Sequence, residues 1–284
     1  MGLAQSFKAL RRTLAQALAP EPAAVEPAPE PAAPLDRSQT PLALLRRDLA
    51  YRYLRGSGIE FGALDFPLSI PPEAKVAYAD FEPVERVKQL FSVTENVTAP
   101  HIVSDLESMR GIEPESQDFI VANHVLEHVE DPLKALRAIA RVLRPNGIAY
   151  LALPDKRWTF DKQREVTTIE HLLRDHRLGP DWSLPGHYDE WVRVVDGLSG
   201  DPHAQKVAVM LDQRANIHFH VWDFAAMMEL FTYVERDESF GLSVENATQN
   251  TIEVVWILRK RQGTAVPEPA LPAARAVEPE VAVS

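Results

Sequence analysis

The stretch DFIVANHVLEHVEDPLKALRAIARVLRPNGIAYLALPD, from Asp118 to Asp155, decides the fold. Asp118 to Ala122 has the apolar density of a buried strand. Asp131 and Pro132 have the chemistry of a helix N-cap and first helical position. Leu133, Leu136, Ile139, Ala140 and Leu143 then repeat at helical spacing, so one face is buried. Pro145-Asn146-Gly147 predicts a turn, and Ile148 to Leu153 a second buried strand. Strand, helix and strand of this length make a βαβ crossover. The polar residues closing the first strand, Asn123-His124 and Glu127-His128, fall where open α/β sheets bind small ligands.

The flanking sequence extends the alternation. Leu42 to Leu54 is helical in pattern. Ile59 to Gly62 reads as a strand entering a turn, and Ala74 to Asp80 as another strand. Glu82 to Phe91 reads as a short helix, and His101 to Val103 as a third strand. After Pro154 the pattern changes: residues 155–216 are rich in charge, His and Trp, and read as an insertion over the ligand edge of the sheet. Asp223 to Val234 is an apolar helix. Gly241 to Ala247 and Ile252 to Leu258 predict a terminal strand pair. Together these give a doubly wound, mostly parallel sheet.

Composition narrows the function classes. The 284-residue chain carries a formal net charge of -11, which argues against a nucleic-acid partner. It has no cysteine, so disulfides, thiolate metal sites and a cysteine nucleophile are excluded. This suits a cytoplasmic location. No apolar run approaches the roughly 18 residues of a membrane span.

Six prolines lie in the segment 20–34 and four in 267–279, both Pro/Ala/Glu-rich and without hydrophobic period. Residues 20–39 are expected to be a disordered linker and 263–284 a disordered tail, around a domain at 40–262. Within residues 1–19, Leu3, Phe7, Leu10, Leu14 and Leu18 share a helical face, with Lys8, Arg11 and Arg12 as the charged side chains. A basic amphipathic helix of this kind suits an anionic membrane surface or a protein partner, and equally a frayed terminus.

Individual residues carry two readings each. Gly62 is either a tight turn or a point of close backbone approach to a ligand. Asp80 ends the second strand, about 20 residues after that turn, where an acid accepts from ribose hydroxyls; otherwise it caps the helix at Glu82-Pro83. Asp105 with Leu106 is either an adenine-edge pair or a turn aspartate. Glu127 is a loop anchor or a ligand contact. His171, His176, His187, His218 and His220 could hold a metal, and His218 and His220 have the spacing of one-sided ligation on a strand. We assign no metal site and read these histidines as lining an acceptor pocket.

NHVLEHVEDPLKALRAIARVLRPNGIAYLALPD resembles the region after motif I in class I S-adenosylmethionine-dependent methyltransferases, the type 11-like group with quinone-biosynthesis and sugar- or antibiotic-modifying members. RWTFDKQREVTTIEHLLRDH (157–176) and HYDEW (187–191) resemble a subgroup associated with bacterial polysaccharide or secondary-metabolite genes. Asn146 stands where the family turn has its first glycine, and EFGALDFP has one glycine where motif I commonly has GxGxG. The resemblance implies a Rossmann-like α/β fold with a seven-stranded sheet, an antiparallel last strand and helices on both faces. It implies S-adenosylmethionine as cofactor, with Glu60 and Gly62 at its methionine part. Asp80 would hold the ribose, Phe81, Asp105 and Leu106 the adenine, and Asn123 and His124 would lie beneath the sulfonium.

Methyl transfer to an oxygen or nitrogen of a small acceptor, a sugar first, is the expected reaction. His128 is the first candidate base, then His218 or His220, with Asp155 or Asp161 orienting it. Two rivals remain: a catalytically inactive methyltransferase-fold scaffold, and a metal-assisted hydrolase using the His/Asp-rich insertion.

Overall fold

A computed structural model describes residues 36–91 and 96–263. The expected basic helix at 1–19, residues 20–35 of the expected linker and residues 264–284 of the expected tail lie outside the described residues.

The folded region begins before residue 40. Arg37–Gln39 form a 3-10 turn, and the Thr40 hydroxyl accepts from the Ala43 amide at 3.3 Å, capping α1 (Pro41–Tyr53). The proline-rich composition ends at Pro34, and the Thr40-Pro41 start signal places the boundary a few residues ahead of the expected one.

From α1 the chain alternates as expected: β1 (Ser57–Phe61), β2 (Lys75–Asp80), α2 (Val84–Phe91), β3 (Ile102–Val103), β4 (Gln117–Asn123), α3 (Pro132–Val142) and β5 (Leu143–Pro154). Three helices follow, α4 (Ile169–Leu178), α5 (Leu184–Val194) and α6 (Gly200–Gln213). The core resumes with α7 (Phe224–Arg236), β6 (Leu242–Asn250) and β7 (Glu253–Lys260).

Among the described residues the strands form one seven-stranded sheet in the order β3-β2-β1-β4-β5-β7-β6. β1 to β5 pair in parallel, and β7 runs antiparallel to both its neighbours, so the last strand in sequence is the antiparallel one. Strand order reverses between β1 and β4, which opens a crevice at their carboxyl ends.

Both faces of the sheet are covered, so its central strands are apolar throughout. On β4, Ile120 and Ala122 join the cluster containing α3 and α7, while Phe119 and Val121 join the cluster on α1. β5 and β7 divide in the same way, with Leu151 and Trp256 on the first face and Tyr150 and Ile257 on the second. α3 starts as its sequence predicts: the Asp131 carboxylate accepts from the Lys134 amide at 2.9 Å, with Pro132 in the first turn. Leu133, Leu136 and Ile139 are fully buried, each worth roughly 1.5–3 kcal/mol of burial.

The predicted turn at Pro145-Asn146-Gly147 lies within β5. The β4–β5 register slips between Gln117↔Leu143 and Phe119↔Ile148, and the intervening residues loop outward. Asn146 takes φ 68°, a left-handed conformation that asparagine tolerates, so glycine is dispensable there.

The 155–216 region is helical and has a small core of its own, in which Tyr188 and Val192 of α5 pack against Met210 of α6 and against Ile217 and Phe219.

Candidate active site

A cavity of about 700 Å³ opens at the carboxyl ends of β1, β2 and β4, a volume suited to a small ligand. Gly62, Asp80, Phe81, Asp105, Leu106 and His124 line it together with His128 and His218. The switch point of the sheet and most of the residues singled out from sequence therefore coincide.

Gly62 follows β1 directly. Its amide donates to Ala79 O at 3.1 Å, and its φ of +65° suits glycine. A Cβ at this position would stand 2.7 Å from Val125 Cγ2, so any other residue would have to displace that side chain as well as strain the backbone. Asp80 is buried at the end of β2, and its Oδ1 accepts from the Phe81 amide at 2.8 Å. Burial pushes its carboxyl up to about 6, and nearby Glu82 pushes in the same direction.

Asp105 is a turn aspartate that also faces the cavity. It lines the cavity while its oxygens accept from the amide and hydroxyl of Ser108 at 2.7 and 2.6 Å. Leu106 is buried in the same wall, and Phe81 is 39% exposed. His124 has φ 54°, and its Nε2 lies 2.8 Å from Glu253 Oε2.

Two further histidines face the cavity with their tautomers fixed by acceptors. His218 Nδ1 lies 2.7 Å from Asp161 Oδ2, so Nδ1 carries the proton and Nε2 keeps its lone pair. His128 Nδ1 lies 2.6 Å from Asn216 Oδ1 and 3.0 Å from Ile217 O. The two rings meet edge-on with centroids 4.6 Å apart. Burial raises the Asp161 carboxyl, but hydrogen bonds from His218 and Arg164 and the Arg164 charge outweigh it and hold the group below its ordinary value. Glu127 is fully buried beside both histidines, and neither carboxylate oxygen has a hydrogen-bond partner. Its anchoring is done by its carbonyl oxygen, which accepts from the amides of Phe219 and His220 at 2.8 and 3.2 Å.

Four expected site residues fall elsewhere. Glu60 lies on the opposite face of β1 from Phe61. It is 1% exposed, and its carboxylate accepts from the Leu68 amide at 3.0 and 3.1 Å, shaping the loop below the cavity. Asn123 is not among the lining residues; its side-chain amide is buried at the end of β4, next to the Glu60 carboxylate. Asp155 is fully buried and binds the Arg157 guanidinium at 2.5 Å, so it orients no histidine. His220 points away from the cavity. Two successive amides on the Glu127 carbonyl kink the chain between His218 and His220, which breaks the one-sided alternation expected of a strand. Burial also holds the His220 ring well below ordinary histidine basicity, which unsuits it as a base.

Other lining residues carried no sequence signal. Glu107 accepts from the amides of Glu130 and Asp131 at 2.9 and 3.0 Å and pairs with Lys134 at 3.2 Å. Arg214 reaches Glu130 and Asp181 across the cavity rim. Behind His124, Glu253 is fully buried between Arg46, His124 and Asn250. Arg46 and Glu253 are 207 positions apart, so the sequence alone does not pair them.

The seven-stranded sheet with its antiparallel last strand is the Rossmann-like fold of class I methyltransferases. The chain belongs to the methyltransferase-domain family, whose profile matches residues 10–199. It is 34% identical over 80 residues to the ubiquinone biosynthesis O-methyltransferase of Xanthomonas campestris pv. campestris (strain B100), covering 28% of this chain and 34% of that one. It is 27% identical over 129 residues to the malonyl-[acyl-carrier protein] O-methyltransferase of Halalkalibacterium halodurans, covering 42% and 46%. The chain thus spans about a third to a half of the length of these curated relatives. A solved SAM-dependent methyltransferase from Methanosarcina mazei overlaps 74% of this chain and 95% of its own at 16% identity and a TM-score of 0.41. No helix among the described residues is long and apolar enough to cross a membrane.

The cofactor of the family is S-adenosylmethionine, and the cavity fits it. Gly62 would allow close backbone approach, the buried Asp80 carboxylate would suit ribose hydroxyls, and Leu106 and Phe81 would offer apolar surface to a base.

Proposed function

We propose that the protein transfers a methyl group from S-adenosylmethionine to a hydroxyl oxygen of a small acceptor, with His218 as the base. The carrying observation is that one cavity joins Asp80 to the His218–Asp161 pair. When bound, S-adenosylmethionine supplies a methyl group already activated on a sulfonium. Asp80 holds the ribose, and Gly62 allows close approach of the backbone. Asp161 fixes the His218 tautomer, and His218 Nε2 would take the hydroxyl proton as the acceptor oxygen gains the methyl group and the methyl–sulfur bond breaks, leaving S-adenosylhomocysteine. Arg164 keeps Asp161 ionised from 2.9 Å, and it is itself held by Glu190 and the His218 carbonyl. The 155–216 region supplies Arg214 and Asn216 to the cavity wall, which supports its assignment as the acceptor-side cover.

The dyad favours a hydroxyl over a carboxylate acceptor. A carboxylate is ionised at neutral pH and needs no base, whereas a sugar or phenolic hydroxyl benefits from one. Both relatives reported above are named O-methyltransferases, which agrees with an oxygen acceptor. A screen with labelled S-adenosylmethionine against sugars, phenols and carboxylates tests this reading. Transfer to a hydroxyl acceptor that His218→Gln loses is expected. Transfer confined to carboxylates and unaffected by His218→Gln contradicts it.

A further inference from the structure

Away from the cavity, His171 and Asp175 of α4, His187 of α5 and His220 converge on one point. One ligand-type atom from each lies within 4.8 Å of those from the other three. His171 Nε2 stands 3.2 Å from His187 Nε2 and 3.0 Å from Asp175 Oδ2. Zinc–ligand bonds of about 2.0–2.1 Å in a tetrahedron separate neighbouring ligands by about 3.3 Å. These two edges, 3.2 and 3.0 Å, are close to that figure, and the remaining ones lie within 4.8 Å.

Two buried atoms in this cluster lack hydrogen-bond partners. Asp175 is fully buried, and its Oδ2 approaches His171 without hydrogen-bond geometry. His220 is 1% exposed, and its Nδ1 has no partner. Buried polar atoms left unpaired are costly, so a native fold seldom keeps two together. Their neighbours are arranged as outer support for metal ligands. His220 Nε2 lies 3.3 Å from the Glu130 carbonyl, which places its proton on Nε2 and leaves Nδ1 as a lone pair. Asp175 Oδ1 accepts from the Ser183 hydroxyl at 2.8 Å, so Oδ2 is the oxygen left to bind.

We infer that His171 Nε2, Asp175 Oδ2, His187 Nε2 and His220 Nδ1 form a structural Zn2+ site. Three nitrogens and one oxygen fill a tetrahedron and leave no open position for an activated water, so the site is a brace and not a hydrolytic centre. It joins α4 and α5 to the extended segment 217–222. That segment carries His218 into the cavity, and its Phe219 and His220 amides hold the Glu127 carbonyl just after β4. Removing the ion releases the wall that positions the candidate base. The three histidines and Asp175 come from parts of the chain up to 49 positions apart, so the ion also ties the insertion to the core.

The test uses the purified full chain. Elemental analysis is expected to give about one zinc per chain, retained through dialysis and removed by a strong chelator with a fall in Tm. Replacing zinc with Co2+ is expected to give the visible absorption of a four-coordinate ion. His171→Ala and Asp175→Asn should each weaken Zn2+ binding at least 100-fold against a chromophoric chelator, while His203→Ala, outside the cluster on α6, keeps it. His171 is the least buried ligand, so its variant is the one best placed to fold; circular dichroism checks this. Wild-type protein that neither retains zinc nor absorbs with Co2+ overturns the inference. Zinc held equally by His171→Ala and Asp175→Asn overturns it too, by placing the ion elsewhere. Zinc content is read without S-adenosylmethionine, so the site stands or falls independently of the proposed reaction.

Discussion

His218 Nδ1 and Asp161 Oδ2 lie 2.7 Å apart, joining the last stretch before α7 to the 3-10 turn after β5 at the wall of the cavity. An acceptor-only carboxylate on Nδ1 leaves Nε2 as the proton-accepting atom. His218→Gln is expected to lower kcat by ~10²–10⁴-fold while leaving S-adenosylhomocysteine affinity within a few-fold. Asp161→Asn should lower kcat too and shift its pH profile, because the imidazolium formed during transfer loses its counter-charge. Steady-state kinetics with a hydroxyl acceptor check both; unchanged kcat in His218→Gln would remove it as the base.

Cofactor affinity should depend on pH through Asp80. Burial raises this carboxyl to about 6, and the ribose hydroxyls donate to its ionised form. Affinity for S-adenosylhomocysteine is therefore full above pH 7 and falls as pH drops through 6, by ~10-fold at pH 5. Asp80→Asn should flatten that dependence. Calorimetric titrations across pH 5 to 8 measure it.

Stability should run in the unusual direction between pH 4.5 and 7. Burial pushes Glu60 up to about 7. Its folded-state value exceeds its unfolded one, so the native state binds the extra proton and stability is lost as pH rises through that window. The loss attributable to Glu60 is up to ~3 kcal/mol. Glu60→Gln keeps an oxygen for the Leu68 amide and should remove most of the slope in thermal melts; an unchanged slope would show that Glu60 is not its source.

Glu253 joins α1 to the cavity. Burial raises its carboxyl, but Arg46 and His124 outweigh that and hold it below the ordinary value. Its contribution is present above the unfolded carboxylate range and is lost as pH falls through its lowered folded value. Glu253→Gln leaves the buried Arg46 guanidinium without its counter-charge and should cost about 3–5 kcal/mol. The His124 ring also loses its partner, so cofactor affinity should fall in the variant that remains folded. Denaturant unfolding at pH 7.5 checks the first effect.

The sheet was legible because its signals are local. The Asp131-Pro132 cap, the α3 repeat and the apolar runs of β4 and β5 each lie in one short window. Gly62, Asp80, Asp105 and His124 line one cavity because a parallel sheet delivers strand ends to one edge. Glu60 was misplaced since period-two alternation turns it away from Phe61. His220 was misplaced since the shared Glu127 carbonyl breaks that period. Asp155 looked free at a strand end, although Arg157 two positions on was a visible partner. His171 and Asp175 share one helical face at i, i+4, a readable half-site. His187 and His220 join it only through the packing of α5 and the segment 217–222.

The most direct test of the account is calorimetric titration of the full chain with S-adenosylhomocysteine beside Asp80→Ala. The prediction is micromolar binding by the wild type, weakened at least ~30-fold in the variant, equivalent to ~2 kcal/mol. Folded wild-type protein that binds nothing, or Asp80→Ala that binds as tightly as the wild type, would contradict it and favour a scaffold role for this methyltransferase fold.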